Sequence, residues 1–582
     1  MANMDTEKIK KQSKALRGSL IEELAQETTH FNEENMQLLK FHGVYQGDNR
    51  DLRAQRRKEK LEPAYELMVR SKIPGGMLTA EQYLAHDRAA RDLGNGSLRI
   101  TSRQSLQFHS VIKGDLKELL QRLSASGIHT WGACGDVVRN VIASPAPYED
   151  EVHRTVQELA VQLSAAFHAR SRAYSEIWLD GERLPGADEP GASEEETIYG
   201  ETYLPRKFKI AIAIPPRNDV DIYTNDLGFI AHEQNGRIEG YTVVVGGGLG
   251  MTAGNVETYP RLASPLFFIA PEDVLEVAKA VVTVQRDFGN RENRKLSRLK
   301  YLLDERGVDW FRQEVGRRIP QVKTAPPRKA QFTSLMDPLG WHRQGADRWF
   351  FGVRVDGARI DDFEHLQYRS AFRELAERFA SPMRFTANHN VLFCNLREED
   401  KAQFEAILRK HHIPMPEDYT KARRFSMACV ALPTCSLALA ESERVFGGVM
   451  TNIEAILREL NLQNEPILFR MTGCANGCSR PYNADFAFVG RMPNKYALFI
   501  GGSPIGDQLA QLWEKQVELE EIPNHVRRHL EDFVSHRQGN ETFSQFWTRE
   551  RRRESFAQLP DEFHQPASQP DKTAEAIIGC GC

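Results

Sequence analysis

The sequence predicts a mixed α+β protein that consists of two related halves. Segments with the period-two pattern of β-strands alternate along the chain with segments that have helical periodicity. Several of these segments return, in the same order, in the C-terminal half, which indicates an internal duplication. A chain of 582 residues also exceeds the size at which one hydrophobic core keeps growing, so we expect two to four domains.

The first repeated segment, residues 97–109, is predicted to be a strand with one polar face. At a period of two, this face carries Arg99, Thr101, Arg103, Ser105, Gln107 and His109. The pattern returns in residues 382–393, where Arg384 corresponds to Arg99. From the pattern alone, the polar face is either an exposed sheet surface or a surface that binds an anionic ligand.

The second repeated unit contains three strand-like segments. Residues 207–214, 225–230 and 241–248 are matched in order by residues 467–471, 484–489 and 496–502. The first unit (97–109) and the second unit (207–248) thus return in the same order as 382–393 and 467–502, which predicts a duplicated architecture. The interface between two equivalent halves is a natural place for a large cofactor.

Two pairs of cysteines mark the second half. Cys474 and Cys478 alternate with glycines in a tight loop, and Cys429 and Cys435 lie upstream with five residues between them. Four thiolates are the number that holds a cubane iron-sulfur cluster, whereas C-x5-C fits the usual spacing of structural zinc poorly. Structural zinc and simple core packing remain the alternatives from spacing alone. The other cysteines, Cys134, Cys394, Cys580 and Cys582, receive no assigned role.

The first half carries two lysines in the segment that corresponds to the one before the cysteine loop. In place of the cysteine loop it has residues 215–219, Pro-Pro-Arg-Asn-Asp, so only the second half can hold a cluster. Lys207 and Lys209 share one strand face with Ala211 and Ala213, which predicts a positive surface with space beside it. The alternative is a pair of exposed lysines that protect a sheet edge from aggregation.

Composition and termini indicate an ordinary soluble protein. Hydrophobic residues make up 41% and charged residues 27%, and a net charge of −4 gives no electrostatic reason to expect nucleic-acid binding. The N-terminus lacks the apolar segment of a secretory signal, and no apolar run approaches the ~18 residues of a membrane span. Because thiolate ligands need a reducing compartment, we expect a cytoplasmic location.

One motif suggests a nucleotide site and is rejected. Residues 241–253 contain a strand followed by G-x-G-x-x-A, but the next residues lack the apolar periodicity of a helix. No other segment predicts a flavin or nicotinamide fold. We therefore expect the reducing equivalents of any redox reaction to come from another protein.

Taken together, the motifs ACVALPTC, TGCANGCSRP, FHGVYQ and LPRKFK resemble those of the sulfite and nitrite reductase family, from about Leu38 to about Gly502. The resemblance implies an internally duplicated sirohaem/[4Fe-4S] reductase fold, with mixed sheets, flanking helices and the cofactors at the interface of pseudo-two-fold halves. It implies that Cys429, Cys435 and Cys474 ligate the cluster. Cys478 would be both a cluster ligand and the axial ligand of the sirohaem iron.

The resemblance also implies roles for the polar residues. Those expected to contact the sirohaem are Arg99, Arg103, Gln107 and His109, and those expected to face the substrate are Arg70, Arg139, Lys207 and Lys209. The expected domains are an N-terminal helical segment (1–65), a first ferredoxin-like half domain (66–131), a first sirohaem-binding domain (132–330), a second ferredoxin-like half domain (331–415), a second sirohaem-binding domain with the cluster (416–556) and a tail (557–582).

FHGVYQ and LPRKFK favour the sulfite-reducing branch of this family. The implied activity is the six-electron reduction of sulfite to sulfide in assimilatory sulfate reduction and cysteine biosynthesis. NADPH and flavins would act only through a separate flavoprotein, with which the chain would form a hetero-oligomer. Neither a membrane nor a nucleic acid is an expected partner. A ferredoxin-dependent sulfite or nitrite reductase is the alternative enzyme, and an iron-sulfur or zinc scaffold protein is the non-enzymatic alternative.

Overall fold

A computed structural model describes residues 2–184 and 194–551, and within them it shows a mixed α/β fold. The predicted tail, including Cys580 and Cys582, lies outside the described residues. The strands are β1 (Val44–Asp48), β2 (Tyr65–Arg70), β3 (Met77–Leu78), β4 (Leu98–Ile100), β5 (Leu106–Val111), β6 (Ile142–Ala143), β7 (Ile210–Ala213), β8 (Leu227–Gln234), β9 (Arg237–Val245), β10 (Ser264–Ile269), β11 (Gly340–Arg343), β12 (Trp349–Val353), β13 (Arg359–Ile360), β14 (Met383–Phe385), β15 (Val391–Leu396), β16 (Met427–Ala428), β17 (Phe469–Thr472), β18 (Phe486–Met492), β19 (Lys495–Ile500) and β20 (Gln511–Glu518).

Helices flank the sheets formed by these strands. They are α1 (Ala2–Gln12), α2 (Leu20–Leu24), α3 (Glu33–Leu39), α4 (Arg53–Lys58), α5 (Ala80–Leu93), α6 (Leu116–Ala125), α7 (Glu151–Ala166), α8 (Ala173–Trp178), α9 (Val274–Phe288), α10 (Leu299–Arg306), α11 (Val308–Arg318), α12 (Tyr368–Phe379), α13 (Lys401–Lys410), α14 (Lys421–Arg424), α15 (Glu443–Glu459), α16 (Ile522–His536) and α17 (Phe543–Glu550). Helix α5 packs on α6 and α12, and α15 packs on α16. Among the described residues, no helix is both long and apolar enough for a membrane span.

Two antiparallel sheets exchange their edge strands. In one sheet the order is β1-β2-β5-β4-β13, and in the other it is β11-β12-β15-β14-β3. The edge strand β13 comes from the second half of the chain, and β3 comes from the first half. Because each half completes the sheet of the other, the two halves form one interlocked body.

The two remaining sheets share one topology. Their orders are β6-β7-β8-β9-β10 and β16-β17-β18-β19-β20. In both, the first three strands are parallel and the others are antiparallel. Strands β7, β8 and β9 correspond to β17, β18 and β19, and this confirms the duplication that the sequence predicts.

The prediction of one continuous strand over residues 97–109 is wrong. The segment forms a hairpin in which β4 pairs with β5 and Arg99 lies opposite Gln107. The Thr101 N–H donates to the Ser105 carbonyl, and Gln104 adopts a positive φ of 53°. Because opposite residues of a hairpin project from the same face, Arg99 and Gln107 still share a face, while Arg103 lies in the turn.

Candidate cofactor and substrate site

The predicted cluster ligands lie at the ends of two neighbouring parallel strands. Cys429 directly follows β16, and Cys474 follows β17 after Gly473. The Cys429 N–H donates to the Met471 carbonyl over 3.1 Å, and the Cys429 Sγ accepts from the Gly473 N–H over 3.2 Å. The parallel pairing therefore brings the two cysteine loops into direct contact.

The other two cysteines close the same region. Cys429, Cys435 and Cys478 share one small apolar cluster. Cys474 and Cys478 both lie near Tyr482, whose pKa is raised by burial and further by these two thiols. The structure thus brings the four predicted ligands together at one place.

A single metal ion and a cubane cluster require different spacings of the ligand sulfur atoms. Among the described residues, no three His, Cys, Asp or Glu side chains converge as closely as one metal ion requires. A zinc ion needs its thiolates about 2.3 Å from one centre. A cubane is larger, since its four thiolates bind four different iron atoms.

Gly473 allows the two loops to meet. The Leu439 and Ala440 N–H groups donate to the Gly473 carbonyl over 2.8 and 3.0 Å. A Cβ at position 473 would lie 2.7 Å from both the Ala431 Cβ and the Ala440 carbonyl oxygen. Only glycine fits this close approach without moving one loop away from the other.

A cavity opens beside Cys478, between the two halves. Its wall includes the cationic side chains of Arg103, Lys207, Lys209, Arg298 and Arg480. Among the described residues that line it there is no carboxylate. The loop that follows β9 closes one side, where the Met251 N–H donates to the Ala475 carbonyl over 3.0 Å. The arrangement is suited to an anionic ligand.

The two lysines are held in an unusual electrostatic environment. Burial, together with the positive charges of Arg298 and Arg103, lowers the pKa of Lys209 to about 7. The pKa of Lys207 is also lowered, by burial first and then by Arg139 and Lys209. Asp226 partly offsets this charge, because it accepts from the Lys209 N–H over 2.9 Å and forms an ion pair with Arg298.

Arg103 is buried among neutral partners. Its Nη1 donates to Asn225 Oδ1 over 2.5 Å, and its Nη2 donates to the Asn140 and Ile210 carbonyls over 2.6 and 2.7 Å. Its Nε has no partner in the part of the chain that the structure describes. Burial lowers the pKa of Arg103 to about 9. A buried guanidinium without a bonded carboxylate fits the wall of a site for an acidic cofactor.

Arg70 and Arg139 lie around Tyr45. The Arg70 guanidinium lies 5.9 Å from the centre of the Tyr45 ring and contacts Gln107, whose amide oxygen faces it. Arg139 Nη2 donates to Tyr45 Oη over 3.3 Å. The Arg139 N–H donates to the Phe208 carbonyl, which places Arg139 next to Lys207.

Gln107 and His109 line a second cavity, together with Tyr45 and Cys435. His109 Nδ1 accepts from Arg359 Nη1 over 2.8 Å. Of the predicted sirohaem residues, Arg103 therefore lines the first cavity, Gln107 and His109 line the second, and Arg99 lines neither. Each cavity reaches one predicted cluster ligand.

Arg99 is placed against the cluster loop. It forms an ion pair with Glu443 over 2.9 Å and donates to the Ala428 carbonyl, one residue before Cys429. Arg359 binds the same carboxylate over 2.7 Å. The carboxylate of Glu443 is thus shared by two arginines, which hold its pKa below its usual range even though burial opposes this.

The sequence did not single out Arg298, Arg480 or Glu443. Arg480 stands inside the motif TGCANGCSRP, but its neighbours in sequence do not indicate which cavity it lines. Arg298 lies in the charged run NRKLSRLK, a pattern typical of a solvated surface. Its ion pair with Asp226 joins segments 72 residues apart and has no local signal.

Comparisons with known proteins identify the family of the chain. Residues 163–323 match the family model described as nitrite and sulphite reductase 4Fe-4S domain, and residues 59–126 and 342–411 match the nitrite/sulfite reductase ferredoxin-like half domain. The chain belongs to the nitrite and sulfite reductase family.

Relatives named sulfite reductase [NADPH] hemoprotein beta-component are similar over nearly the whole chain. The protein of Oceanobacillus iheyensis is 44% identical, with 93% of each chain covered, and that of Staphylococcus saprophyticus is 43% identical, with 94% of this chain and 95% of the relative covered. The structure of the NirA protein of Mycobacterium tuberculosis has the same fold, with a TM-score of 0.75, 21% identity and 97% of each chain covered.

Proposed function

We propose that this protein is the haemoprotein component of an assimilatory sulfite reductase, which reduces sulfite to sulfide with six electrons. The observation that carries the proposal is the cavity in which Cys478 and the lysines 207 and 209 meet, with no lining carboxylate among the described residues. Sulfite is a small anion, and a cationic wall without competing carboxylates is suited to bind it. The relatives at 43–44% identity that bear the sulfite reductase name support the same substrate.

The donor set of the site fits the expected cofactors. Cys429, Cys435, Cys474 and Cys478 would hold a [4Fe-4S] cluster, and Cys478 would also face the sirohaem. Arg99, Arg103, Gln107 and His109 would bind the acidic side chains of the sirohaem, together with Arg298 and Arg480 from the cavity wall. When bound, these cofactors would carry the electrons of the donor and provide the iron centre of the reaction.

The chain itself supplies charge and protons. Reduction of bisulfite consumes six electrons and seven protons, and it yields hydrogen sulfide and three water molecules. Arg70, Arg139 and Lys207 would offset the charge of the substrate. Lys209, with a pKa of about 7, can both hold and release a proton at neutral pH, which is the property required of a proton donor.

Electrons would come from a separate flavoprotein component that oxidises NADPH, so the working enzyme would be a hetero-oligomer. The name of the relatives, an NADPH-dependent beta-component, supports this partner. A cytoplasmic location and the domain boundaries given above stay predictions. Ferredoxin as the donor and nitrite as the substrate are the alternatives that the test has to separate.

Absorption spectra and steady-state turnover test the proposal. Purified holoenzyme should show sirohaem bands and should reduce sulfite faster than nitrite with reduced methyl viologen as the donor. With NADPH, turnover should require the flavoprotein component, and ferredoxin should not replace it. A colourless protein, or faster reduction of nitrite than of sulfite, would contradict the proposal.

The variant Cys478→Ser tests the bridging ligand. We expect it to lose the spectroscopic coupling between haem and cluster together with sulfite reduction, because a hydroxyl is a poor ligand for both metal centres. Cys394→Ser is the matched control, since Cys394 is a buried cysteine of β15 outside the site. Activity of Cys478→Ser at the level of Cys394→Ser would remove Cys478 from its proposed role.

A further inference from the structure

Cys134 has no proposed role in the cluster, yet its sulfur contacts Arg70, one of the arginines proposed to face the substrate. Its side chain is completely buried, and its Sγ accepts a hydrogen bond from Arg70 Nη1 over 3.0 Å. A buried cysteine is often only a small apolar side chain. A contact this short with a guanidinium differs from apolar packing and requires a separate explanation.

The loop that carries Cys134 is fixed to the segment that precedes Tyr45. The Gly132 N–H donates to the Phe41 carbonyl over 2.8 Å, and Thr130 Oγ1 donates to the His42 carbonyl over 2.6 Å. Gly135 has a φ of 85°, and a Cβ there would lie 2.9 Å from the Phe41 ring. The sulfur atom is therefore held at a defined place and cannot follow the movements of the Arg70 side chain.

The same loop also holds Arg139. The Gly135 carbonyl accepts from Arg139 Nε and Nη2, each over 3.2 Å. Consecutive residues of one loop thus contact two of the proposed substrate-binding arginines, one through a thiol and one through a carbonyl. Arg70 is further contacted at its face by Tyr45 and at its edge by Gln107.

We propose that Cys134 is a positioning residue for sulfite binding. Its thiol holds one edge of the Arg70 guanidinium, while Gln107 holds another and Tyr45 supports the face. Binding of the substrate then does not have to restrict a long, mobile side chain, and this preorganisation favours affinity. The inference rests on the proposed function, because it assumes that Arg70 faces the substrate.

Steady-state kinetics of sulfite reduction by the full-length holoenzyme, with reduced methyl viologen, test the role of the thiol. We expect Cys134→Ala to raise the KM for sulfite about fivefold, the effect of one lost hydrogen bond, while kcat changes less than twofold. Cys134→Ser keeps a small acceptor and should stay within about twofold of the wild-type KM. If Cys134 served only apolar packing, serine would be the more harmful substitution, so the order of the two variants separates the two roles.

A double-mutant cycle shows whether the effect passes through Arg70. In an Arg70→Ala background, Cys134→Ala should leave the KM unchanged, because the group that it positions is missing. Cys134→Val, which fills the space of the thiol with apolar groups and lacks the acceptor, replaces Cys134→Ala if the alanine variant does not bind its cofactors. Cys394→Ala is the control for loss of a buried thiol and should retain the wild-type KM.

Three outcomes would each overturn the proposal. The KM could stay unchanged in Cys134→Ala or Cys134→Val, or Cys134→Ser could be as impaired as Cys134→Ala. The third outcome is an equal effect of Cys134→Ala on the KM with and without Arg70→Ala. These outcomes differ from failure of the proposed function. If the wild-type holoenzyme reduced only nitrite, the function would be wrong, and the same cycle measured with nitrite would still decide the role of Cys134.

Discussion

The lowered pKa of Lys209 predicts a pH dependence of substrate binding. Burial, Arg298 and Arg103 lower this pKa to about 7, far below the ordinary value of 10.5 for a lysine. The ammonium is therefore charged below pH 7 and neutral above it. If sulfite binds only to the charged form, the KM should rise as the pH increases through 7.

The size of the effect follows from the titration curve. With a pKa of about 7, roughly 90% of the Lys209 side chains are charged at pH 6 and roughly 10% at pH 8. The fraction of binding-competent enzyme thus falls about tenfold, which corresponds to about 1.4 kcal/mol of binding free energy. Bound sulfite would itself raise the pKa of Lys209, since an anion stabilises the ammonium.

The assay compares variants at the same pH, because bisulfite also loses a proton in this range. We expect Lys209→Arg, whose charge persists at pH 8, to lack the tenfold part of the rise that wild type shows between pH 6 and pH 8. Lys113→Arg is the matched control, since Lys113 is buried and donates to Gln26 and Thr28 far from the site. If Lys209→Arg and wild type had the same KM profile, Lys209 would not control binding.

Two further substitutions test the supports of the site. Gly473→Ala should severely lower the iron content of the purified protein, because its Cβ would lie 2.7 Å from Ala431 and Ala440 in the opposite loop. Gly316→Ala is the control and should keep full iron content, since nothing lies within 4 Å of the new Cβ. Full iron content in both variants would refute the argument. Asp226→Asn leaves the buried charge of Arg298 uncompensated, so we expect a loss of roughly 3 kcal/mol in stability, read as a lower midpoint of thermal unfolding. It should also move the rise in KM below pH 7, since Asp226 raises the pKa of Lys209. The exposed pair of Lys117 and Asp180 provides the control Asp180→Asn, for which we expect a much smaller change in the midpoint of thermal unfolding. An equal effect in both variants would contradict the prediction.

The features that the sequence predicted well depend on local patterns. The glycines around Cys474 and Cys478 predict a tight loop, and in the structure this loop follows β17, which lies parallel to β16 before Cys429. The repeat of segments 207–248 in segments 467–502 predicts one topology for two sheets, and both sheets have it. In both cases each strand or turn is indicated by residues within about ten positions of one another, through the period of the apolar residues and the turn residues.

The features that could not be predicted depend on long-range contacts. Strands β3 and β13 contain two residues each, too few for a period, and their exchange between the halves is visible only in the fold. The hairpin at Thr101 to Ser105 continues the polar alternation through its turn, so the period alone suggests one strand. The pairing of Arg99 with Glu443 joins residues 344 positions apart.

The duplicated fold also explains why one site needs both halves. Strands β7 and β17 are equivalent, but only β17 leads into a cysteine loop, and only β7 is preceded by Lys207 and Lys209. Cysteine thiolates and an anionic substrate both carry negative charge, so cations placed by the other half offset this charge without competing for the metal ligands. The exchanged strands β3 and β13 link the halves, and the Asn218 N–H and side chain of the first half contact Ser334 and Ile505 across the body. In the proposed site, divergence of one copy toward thiols and of the other toward lysines would combine metal ligands and cations at the interface, where Arg480 of the second half adds a further cation.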